Sequence, residues 1–251
     1  MSMGRMMGCE PVAKRMGLRP HVIGLLLMMG VSMSAGAGLF GFGGTSWKEE
    51  VLLHDGSKII VERSQSRGGR HEIGQSSPVK EHDISFTLPG TNKTISWKDE
   101  YSEDVGHSNF DLLALHMLNS TPYLVAAPFG CLSYNKWGRP NPPYVIFKYD
   151  GKAWQRIQLS EFSSEFKNIN LVKDTDNDEK KLASLSLVSA EQVKAFNSNI
   201  RQPEFKTILR EPVKRGTDGS SVNCVELVLY KGSWIMPNDP VMHMLLDQKS
   251  K

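Results

Sequence analysis

Val51-Leu-Leu-His-Asp55-Gly56-Ser-Lys-Ile-Ile-Val61 consists of two apolar runs joined by Asp-Gly. Asp-Gly between such runs is a strong short-range hairpin signal, because a type I′ turn needs positive φ at both central residues. The pattern returns at Tyr144-Val-Ile-Phe-Lys-Tyr-Asp150-Gly151-Lys-Ala-Trp-Gln-Arg-Ile157. Ile84-Ser-Phe-Thr-Leu88 turns through Pro89-Gly-Thr-Asn92 into Thr94-Ile-Ser-Trp97, alternating as half-buried strands do. Val222 to Tyr230 turns at Lys231-Gly232 into Ser233-Trp-Ile-Met236. Four hairpins without βαβ alternation predict an α+β fold, predominantly antiparallel β-hairpins with three or four short helices.

The helices expected are few. Ser108-Asn-Phe-Asp111 resembles a capping box, after which Phe110, Leu113, Ala114 and Met117 share one helical face. Ser189-Ala-Glu-Gln192 caps a second segment carrying Val193 and Phe196. Asp239-Pro240 opens a C-terminal helix with Val241, Met244 and Leu245. Ser160 to Lys167 is the candidate fourth. Breaks are expected at Ser64–His82, a polar Gly/Ser-rich loop, and at Lys173–Lys181, a charged turn able to divide two halves.

Upstream of the hairpins the chain changes character. Lys14, Arg15 and Arg19 precede the uncharged run Val22-Ile-Gly-Leu-Leu-Leu-Met-Met-Gly-Val31, and Ser34-Ala35-Gly36-Ala37-Gly38 follows. A positive region, an apolar region and an A-x-A site form an export signal, with cleavage expected after Ala37. The organisation expected is therefore a signal peptide at 1–37 and a single α+β domain at 38–251, subdivided if anywhere near 173–181. The alternative is an inner-membrane anchor over residues 22–43. Against it, Gly30, Gly36, Gly38, Gly41, Gly43 and Gly44 dilute the apolar stretch, and a span needs about 20 apolar residues. Eight of the 12 Met residues lie before position 38, and Met16 is a second plausible start beside Met1. The location expected is the periplasm, with membrane contact only in passing, through the signal.

The chain of 251 residues carries a formal charge of +3, and all of that excess sits in residues 1–37. The balanced remainder gives no support for nucleic-acid binding, which draws its affinity from phosphate contacts. Cys9 precedes the apolar run, so it cannot serve as a lipoprotein cysteine. Cys131 and Cys224 remain, either as one disulfide in an oxidising compartment or as two separate buried thiols.

Phe129-Gly-Cys-Leu-Ser-Tyr134-Asn-Lys136-Trp137-Gly-Arg139-Pro-Asn141-Pro-Pro-Tyr144 is the most unusual segment. Its Gly and Pro content predicts a stiff loop. Tyr134, Trp137 and Tyr144 stand among Lys136, Arg139 and Asn141, aromatic faces beside planar donors that suit an envelope protein, a peptide or a glycan. The competing reading folds the same aromatics down as a lid on the sheet.

Trp97-Lys-Asp99-Glu100-Tyr-Ser-Glu103-Asp104-Val-Gly-His107 holds four carboxylates and a histidine. Crowded carboxylates beside a histidine offer acid–base or metal chemistry and make an envelope hydrolase the rival function. The bland alternative is a solvated cap before a helix N-terminus. Asp174-Thr-Asp176-Asn-Asp178 begins like a calcium loop, yet Glu179 stands where the turn needs Gly and Leu185 where it needs a bidentate Glu. The histidines from His54 to His243 show no ligand spacing, and His116 is expected to pack inside a helix. No metal site, cofactor motif or nucleophile elbow is expected, and the leading reading is a non-catalytic binding or interaction protein.

Gly68 to Gln75, Trp97 to Gly106 and Gly130 to Tyr144 resemble stretches of uncharacterised exported proteins of Gram-negative bacteria. The likeness covers roughly residues 47–170, part of a compact domain. It implies an envelope setting and assigns no site residues.

Overall fold

Two antiparallel meanders dominate the computed structural model, which describes residues 44–216 and 221–249. The expected signal peptide and the alternative 22–43 anchor lie outside the described residues. The first sheet runs β1 (Thr45–Leu52), β2 (Lys58–Arg67), β3 (Val79–Thr87) and β4 (Thr94–Asp99), paired in that order. The second runs β5 (Phe110–Leu118), β6 (Thr121–Pro128), β7 (Val145–Tyr149) and β8 (Trp154–Ile157), again in order. A small hairpin follows, β9 (Val228–Tyr230) with β10 (Ser233–Ile235). Four helices join them: α1 (Gly130–Lys136), α2 (Thr175–Ser184), α3 (Ala190–Phe196) and α4 (Pro240–Lys249). The fold is α+β and mostly strand, and the described residues form one compact unit.

The sheets enclose a shared core. Val51, Val61, Ile84, Phe86 and Trp97 of the first meet Leu112, Leu115, Leu124, Val145 and Phe147 of the second. In the first sheet the other face is wet, so β2 to β4 alternate between buried and exposed positions. The second sheet is covered on both faces. Leu113, Ala114, Tyr123, Val125 and Ile146 pack outward against Phe162, Phe166, Phe205 and Ile208. Nearly every residue of β5 and β6 is therefore buried.

That double burial corrects one expectation. Residues 110–117 form a strand, not a helix, because an apolar run without alternation has the same pattern in a buried strand and in a helix. A bulge at Leu113 breaks the β5–β6 register. Asn170 repairs the gap: its Oδ1 accepts from Leu115 N at 2.8 Å, and its Nδ2 donates to Leu115 O and Leu52 O. The β5–β6 turn, Asn119-Ser120, has φ of 49° and 60°, as does a type I′ turn.

Turn chemistry elsewhere is mixed. Lys231-Gly232 makes the two-residue turn, with φ of 48° and 77°. At Asp55-Gly56 the hairpin is present but the turn is longer: Leu53 N donates to Ser57 O, and of that pair only Gly56 takes positive φ. The Ser64–His82 break shrinks to residues 68–78, since β2 and β3 claim both flanks. There Gly69 lies so close to the 102–107 loop that a Cβ would sit 2.4 Å from Gly106 O.

The charged stretch Lys173–Lys181 is mostly helix α2, not a turn. Asp176 and Asp178 in its first turn and Lys181 in its last complement the helix dipole, and Leu182 packs with Trp47, Val188 and Val193. Helix α3 has the expected capping box: Ser189 Oγ accepts from Gln192 N, and Gln192 Oε1 accepts from Ser189 N. Helix α4 begins at Pro240 behind Asp239, whose Oδ1 accepts from Met242 N at 2.9 Å. Ser160–Lys167 forms no α-helix; a single 3-10 turn covers Leu159–Glu161.

Candidate functional site

A cleft of about 300 Å³ opens where the two sheets meet the start of α2. Strand β2 contributes Arg63, β3 contributes His82, and β5 contributes Asp111; Lys173 and Asp176 close the far side. Strand alternation explains the first two. Arg63 and His82 occupy inward positions of the first sheet, beside apolar neighbours, and are buried there.

Each charge has an assigned partner. Arg63 Nη1 donates to Glu49 Oε1 at 2.8 Å and to Val172 O at 2.7 Å. His82 Nε2 stands 3.1 Å from Asp99 Oδ2, with its ring edge-on to Trp97. The same Asp99 oxygen accepts from Asn109 N and Phe110 N, and its Oδ1 accepts from Asn109 Nδ2. A carboxylate so surrounded by donors holds the imidazole by its Nε2 edge. Lys173 Nζ donates to Asp111 Oδ2 at 2.8 Å. Burial opposes the Lys173 charge, but the Asp111 carboxylate outweighs it and raises the ammonium pKa. Desolvation lifts the Asp176 carboxyl above the ordinary range, partly offset by Arg67, whose Nη2 stands 3.4 Å from the buried Oδ1. The cleft thus offers donors and acceptors to a small polar guest.

The six side chains of the 129–144 segment are held within the chain. Residues 130–136 are helix α1, not irregular loop, because the prolines begin only at Pro140. Tyr134 is buried against Val213 and Val222 beneath the Arg139 guanidinium. Arg139 donates to Asn135 Oδ1, Cys224 O and Val225 O. Lys136 Nζ donates to Asp104 Oδ1 at 2.7 Å and to Ser102 Oγ. Trp137 packs on the shared core, and its Nε1 donates to Asn109 Oδ1. Asn141 pairs with the backbone of Val213 in both directions. Tyr144 OH donates to Glu204 O at 2.7 Å and accepts from Leu209 N. Burial pushes that phenol's pKa up. Cys131 Sγ and Cys224 Sγ lie at disulfide distance, 2.01 Å. This geometry is that of a lid which pins the C-terminal segment to the sandwich.

The 99–107 carboxylates do not converge. Asp99 points inward, Glu100 and Glu103 are exposed, and Asp104 is held by Lys136 and Ser102. Burial opposes the Asp104 charge, but those two donors keep its pKa below the usual range. His107 Nδ1 lies 2.6 Å from Ser108 O. Among the described residues no group of three or more His, Cys, Asp or Glu could hold a metal.

Sequence reasoning missed Arg63, His82, Asp111, Lys173 and Asp176. One signal was available: in Trp47-x-Glu49-x-Val51 and Val61-x-Arg63-x-Gln65, charged residues fall on the apolar face of alternating strands. Inward charge is expensive unless paired, so the two strands predict each other's partner. No family model, curated protein or solved structure matches the chain.

Proposed function

We propose that this chain is an exported, periplasmic binding protein without catalysis, which holds a small polar solute in the cleft beside α2. The observation that carries the reading is the cleft itself, with His82, Asp111, Lys173 and Asp176 around about 300 Å³. That volume lies at the lower end for small-molecule sites. Export is supported by the signal-like pattern of residues 1–37 and by the Cys131–Cys224 pair. Among the described residues no helix is long and apolar enough to cross a membrane. The hydrolase reading has less support, because the Asp99 oxygens are already occupied and the other three carboxylates point elsewhere.

Capture by the 129–144 segment would require its aromatics to leave their present contacts. The test is a thermal-shift panel of amino acids, carboxylates, sugars and polyamines on the purified chain. At least one class should raise the melting temperature of the wild type and fail to do so for Asp176→Asn. A flat response across the panel, or one unaltered by that substitution, overturns the reading. Fractionation with N-terminal sequencing tests export; an uncut chain in the cytosol would refute it.

A further inference from the structure

The cleft beside α2 changes character from floor to mouth, and exposure orders its lining. Arg63, His82 and Ser108 are 3%, 5% and 2% exposed and make the floor. Asp174 and Asn177 are exposed and Asp176 is partly so, which puts them at the mouth. Val79, Phe110, Leu112 and Phe129 make the rest of the wall largely apolar. Lys173 and Asp111, also in the wall, neutralise each other at 2.8 Å.

The floor has donors to spare. Glu49 Oε1 and Val172 O both take Nη1 of Arg63. Nε and Nη2, which share one edge of the guanidinium fork, meet no acceptor among the described residues. A guanidinium carries five N–H donors, and buried donors are seldom left unmade. Ser108 is in a similar position: its N donates to Val79 O, while its hydroxyl has no partner among the described residues. A carboxylate is the acceptor that suits such an edge, because it takes two parallel N–H donors at once.

The mouth is the reverse. Arg67 is the cation beside Asp176, but it also pairs with Glu179, so one positive charge serves two negative ones. Asp174 accepts only from the neutral amide of Asn177. The α2 N-terminus adds about half a positive charge there, less than the two negative charges left over. We infer that the guest is a small zwitterion, an α-amino acid, whose carboxylate meets the free Arg63 edge and Ser108 while its ammonium meets Asp174 and Asp176. The inference rests on reading the cleft as a solute site and names the solute. A simple amine would leave the floor unmet, and a simple acid would face the acidic mouth without compensation. The cleft volume of about 300 Å³ suits a single amino acid, its side chain against Phe110 and Phe129, rather than a peptide.

Calorimetric titration of the disulfide-bonded chain tests this with matched probes. The common L-amino acids are titrated first. The tightest is then set beside its N-acetyl derivative, which lacks the ammonium, and the amine left when its carboxyl is removed. At least one amino acid should bind, and removing either charge should weaken it about tenfold or more, the loss expected for a hydrogen bond to a charged group. Asp174→Asn changes an exposed side chain, so the fold should persist by circular dichroism. That variant should bind the amino acid about two- to fivefold more weakly, as loss of an exposed charge pair does. An amine or N-acetyl derivative as tight as its parent overturns the zwitterion and leaves the cleft a solute site. So does capture of a sugar, polyamine or simple carboxylate when every amino acid fails. Amino-acid binding indifferent to Asp174→Asn also overturns the inference. No binding by any class overturns it together with the reading beneath it.

Discussion

Glu49 and Arg63 meet between β1 and β2 with 2.8 Å from Oε1 to Nη1, the two side chains 0% and 2% exposed. The pair is held on every side. Trp47 Nε1 donates to Glu49 Oε1, Val172 N donates to Glu49 Oε2, and Val172 O accepts from Arg63. It therefore links the first sheet to the segment that leads into α2, and so fixes one wall of the cleft.

Glu49→Gln should lower stability by about 3–5 kcal/mol, because a buried guanidinium is left without its counter-charge. Glu49→Met combined with Arg63→Met should be much milder, since both charges leave together. Urea denaturation of the two variants checks this; equal losses would contradict it.

His116 gives the protein an acid-labile point. It is fully buried, stacked at 4.7 Å on Phe166, and burial lowers its pKa to about 4 despite the carbonyl of Asn168 at Nε2. The unfolded chain protonates this ring near 6.5, before the folded chain does. Its stabilising effect is thus complete above pH 6.5 and is lost as pH falls toward 4, about 3 kcal/mol in all. Urea midpoints measured from pH 7 to pH 4 should fall for the wild type and flatten for His116→Gln.

The Cys131–Cys224 link spans 93 residues of sequence. Cys131→Ser or Cys224→Ser should lower stability by about 4–5 kcal/mol in the chain-entropy account. Thermal melts with and without reductant check it: the wild type should shift on reduction and the variants should not.

Gly69 has φ of 95°, and a Cβ there would press on Gly106 O at 2.4 Å. The nearest obstacle is backbone, so it cannot swing aside as a side chain could. Gly69→Ala should destabilise by about 1–3 kcal/mol, while Gly74→Ala, with open space around it, should suffer only the strain of its positive φ. Paired melts separate the two.

Legibility in the sequence followed solvent exposure. β2 to β4 face water on one side, so their alternation and turn residues betray them. β5 and β6 are dry on both faces and lose that period, and Ser108 with Asp111 then imitates a helix start. In reality Asp111 pairs with Lys173, a partner no local window contains. The cleft was invisible for a related reason: Arg63, His82, Asp111 and Lys173 come from four separate segments. At Tyr134 to Tyr144 the residues read correctly as aromatics among donors, but their targets lie at Glu204, Val213 and Cys224.

In both meanders each strand pairs with its neighbour in sequence. A polypeptide emerging from its N-terminal side can accordingly complete each ribbon before the next is made, the longest closure being residues 129–144. The late traveller is Cys224, which must find a sulfur laid down far earlier. Oxidation is then the act that seals a nearly finished body, and a reductant should release the tail before it disturbs the sheets.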